Sequence, residues 1–344
     1  MKKFLIVIFL SLFLLSCSKE DVTNKIFVYN WGEYMDPSTI RQFEKETGIK
    51  VIYDTYASNE DLYMRMTSSS DRYDVVVPSD YMIERMIKED LLQPFQPEKI
   101  SNLSKINKNL KNPIFDKKNK FSIPYFWGTL GIIYNKSMIQ EEITSWADLW
   151  NPKYKNQIIM YDSQRDDIAI ALKKLGYSMN TKNEKELKEA EEALVEQKPL
   201  VYAYLADEAR DVITQEDAAI CVMYSGDALL MIEENPNLEY VVPKEGSNLW
   251  YDSFVIPKNA NNPDGAHKFI DFMCRPDIAA INAEYCVGYS TPIPEAIDLL
   301  PKEIRDSKVA YPDIEELPPL EVYRDAGYLV DIYDIIWTRV RAEK

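Results

Sequence analysis

Short β-rich runs alternate with amphipathic ones along most of this chain. Residues 26–29, 50–56, 74–77, 131–134, 157–161, 200–204, 218–224 and 239–242 are rich in strand-forming side chains. Each is bounded by polar or turn-forming residues, so each predicts a strand. Helical signals fill most of the gaps. Asp36-Pro37 opens one helix, with proline in its first turn, and Gly48 closes it. Ser79-Asp80 caps a second that runs through Lys88. Residues 181–197 are charged, with a thin apolar stripe at Leu187, Ala190 and Leu194, the pattern of a solvated surface helix. Val322, Ala326, Leu329, Tyr333, Ile336 and Val340 recur at three and four and outline a final helix. Arg339, Arg341 and Lys344 stand at its end, where the helix dipole favours positive charge. The alternation predicts an α/β class with mainly parallel strands.

The N-terminus departs from this pattern. Lys2 and Lys3 precede residues 4–15, which are apolar except for Ser11, and the chain turns polar after Cys17. The apolar run is shorter than the roughly 20 residues a spanning helix needs, so it reads as an export signal. Leu14-Leu15-Ser16-Cys17 resembles the bacterial lipoprotein box, which implies cleavage after residue 16 and lipidation of Cys17. Residues 17–25 then form a tether outside the membrane. What remains is too long for one typical core and suits two lobes. The net charge of −16 argues against nucleic acid and is compatible with cationic ligands. Cys221, Cys274 and Cys286 lack paired ligand spacing and have apolar neighbours, so they read as small buried residues. A single histidine, His267, makes a metal site or a histidine-based nucleophile improbable. It falls in an amphipathic helix over 264–274 and is expected on its surface.

Aromatic and acidic side chains recur where the strands end. Trp31, Glu33 and Tyr34 follow the first strand, and Ser79, Asp80 and Tyr81 follow the run at 74–77. Asp162, Ser163 and Asp166 follow residues 157–161, and Tyr224 ends the run at 218–224 with Asp227 just after it. Trp250-Tyr251-Asp252 opens another apolar run, and Tyr289 lies in a Gly-Tyr-Ser-Thr-Pro segment. In open α/β sheets, ligands gather at the carboxyl ends of strands. Flat rings beside carboxylates suit an alkyl diamine or triamine. Its ammonium ends need paired acids, and its stem gains about 0.8 kcal/mol per buried methylene. Cation–π contact adds about 0.5–2 kcal/mol. Trp127, Trp146, Trp150 and Trp337 are expected to be packing residues.

The chain resembles the bacterial spermidine/putrescine-binding proteins, the extracytoplasmic receptors of polyamine ABC importers. The resemblance rests on Tyr29-Asn30-Trp31-Gly32-Glu33-Tyr34, Tyr73-Asp74-Val75-Val76-Val77-Pro78-Ser79, Ile123-Pro124-Tyr125-Phe126-Trp127-Gly128, Trp250-Tyr251-Asp252-Ser253 and Gly288-Tyr289-Ser290-Thr291-Pro292. These runs stand in the family's order over nearly the whole mature chain. The resemblance implies a two-lobed periplasmic-binding-protein fold with hinge crossovers and a cleft between the lobes. Lobe 1 would comprise 26–129 and 252–297, and lobe 2 would comprise 130–251 and 298–344. It implies Trp31, Tyr34, Tyr81 and Trp250 as aromatic walls, Asp252 as the acid gripping an amine, and Ser79 and Tyr289 as polar contacts. Tyr224 stands where spermidine binders have tryptophan. Around 163–166 those binders carry two acids, whereas this chain has Ser163 and Asp166. Asp227 matches the putrescine-type receptors, which leans the ligand toward putrescine. The last spermidine-type contact falls near Tyr323. The resemblance implies a monomer without cofactor, metal or catalysis that delivers its ligand to the permease subunits of an ABC importer. The residues alone leave open a receptor for a sugar, a peptide or ferric iron, and an extracellular hydrolase using two carboxylates.

Overall fold

A computed structural model describes residues 24–342 except residue 69. The signal segment and Cys17 therefore lie outside the described residues. Ten strands form one curled mixed sheet, in the order β2-β1-β3-β9-β4-β7-β5-β6, with β10 paired to β9 and β8 paired to β4. β1 (Lys25–Trp31) lies between β2 (Lys50–Tyr56) and β3 (Val75–Val76) and runs parallel to both. Helix α1 (Pro37–Thr47) joins β1 to β2, and its local signals act as expected. The Asp36 carboxylate caps the Ser38 N–H at 2.6 Å, and Gly48 takes φ 73° to close the last turn.

Two long strands tie the halves together. β4 (Ser122–Asn135) is buried along its whole length. Its first half pairs antiparallel with β9 (Ser247–Val255), and its second half pairs antiparallel with β7 (Ile220–Tyr224) and β8 (Leu238–Val241). β5 (Ile158–Tyr161) and β6 (Val201–Leu205) complete the second half in parallel with β7. The sheet is thus less parallel than the alternation implies, because β4 runs against β7, β8 and β9, and β9 runs against β3 as well, as crossovers. β4 also starts well before residue 131. Tyr125-Phe126-Trp127-Gly128, outside the expected 131–134 strand, lies within it.

Each half of the sheet is covered on both faces, which explains its continuous apolar runs. In the first lobe, Val28 and Val75 face a core that includes Phe43 and Phe269. Their neighbours Tyr29 and Val76 face another with Leu62, Met82 and Met86. In the second lobe, Ile132, Ile158 and Ile220 pack with Trp146, while Ile133, Ile159 and Cys221 pack with Met231. Each such aliphatic side chain contributes about 1.5–3 kcal/mol when fully buried.

The remaining helices are α2 (Asn59–Ser68), α3 (Asp80–Lys88), α4 (Gln164–Lys174), α5 (Glu184–Gln197), α6 (Ala209–Thr214), α7 (Ser225–Glu234), α8 (Pro263–Met273), α9 (Pro276–Tyr285), α10 (Pro294–Ile297), α11 (Lys302–Arg305) and α12 (Leu329–Ala342). Two expectations change here. The last helix begins at Leu329, because residues 320–321 form β10 against β9 and the following loop bonds to α4 and α3. His267 is buried rather than exposed. Its Nε2 accepts the Gln96 N–H at 3.0 Å, so its Nδ1–H donates to the Pro263 carbonyl at 2.7 Å. The ring pins the 96–99 turn onto α8.

No helix among the described residues is long and apolar enough to cross a membrane. Trp127 and Trp146 are buried, and Trp150 donates to the Ala193 carbonyl at 2.7 Å, so all three pack as expected. Trp337 is half-buried with its ring 5.4 Å from that of Tyr204. Trp337→Ala is expected to cost about 2 kcal/mol of stability and leave ligand affinity unchanged. Trp250→Ala is expected to do the reverse. Denaturant melts and titration calorimetry on both variants check the contrast.

Candidate ligand cleft

The cleft floor is the middle of β9, where the chain passes between lobes. Side chains alternate along a strand, so Trp250 and Asp252 share one face while Tyr251 turns away to pack on Phe115 at 5.8 Å. Trp250 lies over Gly128 on β4. A Cβ at residue 128 would stand 2.6 Å from the indole, so glycine is required there.

Asp252 is 7% exposed, yet both carboxylate oxygens are engaged. Oδ1 accepts the Ser79 hydroxyl at 2.6 Å and Oδ2 accepts the Tyr34 hydroxyl at 2.7 Å. Burial pushes this carboxyl up to about 6, and the two hydroxyls hold it from rising further. Ser79 occupies the N-cap position of α3, but its side chain makes no capping bond. The hydroxyl serves Asp252 instead. Asn59 steadies it, donating to Ser79 Oγ at 3.0 Å and accepting the Ser79 N–H at 3.1 Å.

From Tyr34 a run of edge-to-face rings leads across the cleft. Tyr34 meets Tyr289 at 5.1 Å, Tyr289 meets Trp250 at 5.8 Å, Trp250 meets Tyr224 at 6.2 Å and Tyr224 meets Tyr161 at 5.2 Å. Two more acids lie at the far end. Asp166, in the first turn of α4, is buried and accepts the Tyr224 hydroxyl at 3.0 Å and the Tyr323 hydroxyl at 2.8 Å. Burial raises its carboxyl, against Ser163, Tyr323 and Tyr224. Asp227, in the first turn of α7, is pushed up to about 6 by burial and then by the Asp207 charge. Burial carries the Tyr289 hydroxyl well up, and the charges of Asp227 and Asp252 add to it.

The arrangement is a run of aromatic rings with a partly desolvated carboxylate at each end, Asp252 and Asp166. It offers no metal cluster among the described residues. A flexible organic cation of matching length would find ion pairing at its ends and ring faces along its stem. A family model described as bacterial extracellular solute-binding protein matches residues 38–313. The chain belongs to that family. The spermidine/putrescine-binding periplasmic protein of Escherichia coli is 38% identical over 330 residues, covering 95% of this chain and 94% of that one. Among solved structures, the spermidine/putrescine ABC transporter substrate-binding protein PotD from Streptococcus pneumoniae is 44% identical with a TM-score of 0.84, covering 92% of this chain and 98% of that one. The lipoprotein TpPotD of Treponema pallidum is 28% identical with a TM-score of 0.82, covering 92% of this chain and 99% of that one. Membership places this solute-binding protein outside the cytoplasm.

Within this binding protein, Tyr34, Ser79, Asp166, Tyr224, Trp250, Asp252 and Tyr289 form one connected network, and Asp227 joins it through its field at Tyr289. Trp31 and Tyr81 flank it. Trp31 donates to the Val77 carbonyl at 3.0 Å and lies 4.7 Å from Tyr56. Tyr81 accepts from Asn59 at 3.1 Å and lies under the Arg165 guanidinium. Trp250 and Asp252 sit inside β9 rather than at a strand terminus, because a crossover strand presents its middle to the cleft. Sequence reasoning missed Asn59, Arg165 and Asp207, for which no local pattern gives a signal. It treated Asp80 as a capping acid. Asp80 is buried, pushed up to about 8 by that burial, and accepts the Tyr81 N–H at 2.6 Å and the Tyr251 N–H at 3.3 Å.

Gly226, at the start of α7, and Gly288 meet backbone to backbone. A Cβ on Gly288, whose φ is +99°, would stand 2.2 Å from the Gly226 carbonyl oxygen. Gly288→Ala is expected to prop the cleft open and weaken ligand binding about tenfold or more. The backbone strain adds about 1–3 kcal/mol of destabilisation. Calorimetry and a melting curve on the one variant measure both.

Proposed function

We propose that this solute-binding protein captures a polyamine, putrescine before spermidine, and delivers it to the permease of an ABC importer. The observation that carries this reading is Asp252. It is a desolvated carboxylate held by Ser79 and Tyr34 beside the rings of Trp250 and Tyr289, with Asp227 in the first turn of α7 as a further buried acid. A buried carboxylate is costly until a cation pairs with it, so Asp252 favours an ammonium group. The names of the relatives support the same ligand class. Trp31, Tyr81, Tyr224 and Asp166 complete the walls and the second end. The presence of Asp227 and of Ser163 in place of an acid supports the shorter diamine. No covalent step is involved.

In this reading residues 26–129 and 252–297 form lobe 1, and 130–251 and 298–344 form lobe 2. The chain acts as a monomer that closes over its ligand by shifting an open–closed equilibrium. Cys17 carries a lipid anchor, supported by the lipoprotein-box sequence and by the lipoprotein relative. A thermal-shift panel of putrescine, spermidine, maltose and ferric citrate tests the ligand class. The two polyamines are expected to raise the melting temperature and the others to leave it unmoved. A shift with maltose or ferric citrate alone overturns the reading.

A further inference from the structure

We propose that Glu84 and Arg324 form a clasp between the lobes that sets how long the cleft stays shut. They act as positioning residues that do not themselves touch the ligand. The proposal rests on the closing receptor described above. Glu84 lies on α3, whose Met82, Ile83 and Met86 are part of a first-lobe core. Arg324 lies in the loop after β10; Leu320 and Val322 ahead of it touch the first-lobe core, while its polar bonds run to α4 and the turn that follows α4. Its backbone N–H donates to Asn180 at 2.9 Å, and Asn180 returns a bond to the Val322 carbonyl at 2.9 Å. Tyr323 beside it donates to Asp166, and Glu321 pairs with Lys173 at 3.0 Å.

Across this junction the Arg324 guanidinium grips Glu84 as a fork. Nε reaches Oε2 at 2.9 Å and an NH2 group reaches Oε1 at 2.6 Å. The Asp325 N–H adds a third bond to the same carboxylate at 2.8 Å, and Lys88 bridges Glu84 and Asp325 at 3.3 and 3.0 Å. The Glu84 side chain is 9% exposed, so this is a partly desolvated, bidentate pair rather than a loose surface contact. A second contact sits beside it. The Arg165 guanidinium lies 5.1 Å from the centre of the first-lobe Tyr81 ring and 4.5 Å from that of Tyr323. It also donates to the Arg324 carbonyl at 2.5 Å. In this proposal the loop moves with the second lobe, so opening the cleft breaks these bonds and the clasp favours the shut state whatever the ligand.

A ligand enters the open form and leaves through it. Weakening the clasp therefore raises the open fraction, and with it the dissociation rate, while association stays near its original value. Stopped-flow measurements with putrescine on the mature chain are expected to show dissociation about tenfold faster in Glu84→Gln, with association within about twofold. Arg324→Lys, which keeps the charge but loses the fork, is expected to fall between. The charge-swapped double variant Glu84→Arg/Arg324→Glu is expected to recover part of the loss. Spin-label distances between the lobes of the ligand-free chain provide a readout that needs no ligand, and the shut population should shrink in Glu84→Gln. An unchanged shut population, unchanged dissociation, or a melting temperature lowered by more than about 5 °C, which marks a folding defect, overturns the clasp. If the native chain binds neither putrescine nor spermidine, the polyamine reading fails instead, and the spin-label result still decides the clasp.

Discussion

Asp252→Asn is expected to weaken binding of putrescine and spermidine by at least about 100-fold. That factor corresponds to about 2.7 kcal/mol, below the roughly 3–5 kcal/mol that breaking a buried charge pair costs. The change keeps shape, and one of the Ser79 and Tyr34 hydroxyls that serve Asp252 can still donate to the amide oxygen while the other turns to accept from the amide NH2. The ligand-free variant should therefore fold, and at neutral pH it should melt no lower than the native chain, because it no longer buries a charge. Titration calorimetry on both forms measures the ratio. Native affinity in the variant would remove Asp252 from the binding account.

Affinity for a diamine is expected to fall about 100-fold between pH 7 and pH 5. Asp252 and Asp227 both titrate near 6 in the ligand-free protein, raised by burial above their ordinary range. An ammonium group pairs only with the ionised carboxylate. One pH unit below its pKa, each acid costs about tenfold, and two acids act together. The stability of the ligand-free chain should run the other way. A buried carboxyl whose pKa is raised by folding binds its proton more tightly in the native state than in the unfolded one. Stability contributed by Asp252, Asp227 and Asp80 is thus fully present at low pH and declines as pH rises from about 4 through 6 for the first two and through about 8 for Asp80. Opposite slopes for melting temperature and affinity are the expected signature. A flat affinity between pH 7 and 5 would show that these acids do not seat the ligand.

Much of the fold is legible locally. The Asp36-Pro37 start and Gly48 stop of α1, and the β1 and β2 strands around it, need nothing beyond neighbouring residues. β4 is not legible in that way. It is buried on both faces, so it lacks alternation, and Pro124 and Gly128 interrupt it like loop residues. Only its pairing with β9 makes it one strand. His267 shows the same limit, because its helix face looks polar at that position until the Gln96 N–H arrives from another segment. In the cleft, residue types and strand ends pointed to Asp252, Trp250 and Tyr34, whereas the network that completes them did not show. Ser79 looks like a helix cap and is one by position, yet its hydroxyl is turned to an acid 173 residues away. Asn59 and Arg165 act through long-range contacts that no local window contains.

Cys221, Cys274 and Cys286 are buried and unbridged, and burial raises all three thiols, Cys274 and Cys286 to about 12. Their thiolate fraction at neutral pH is vanishingly small, so they are poor targets for oxidants outside the cytoplasm. Maturation after export thus requires no oxidoreductase to pair them. Their alkylation is instead a clock for global unfolding, since each sulfur becomes reactive only when its core comes apart.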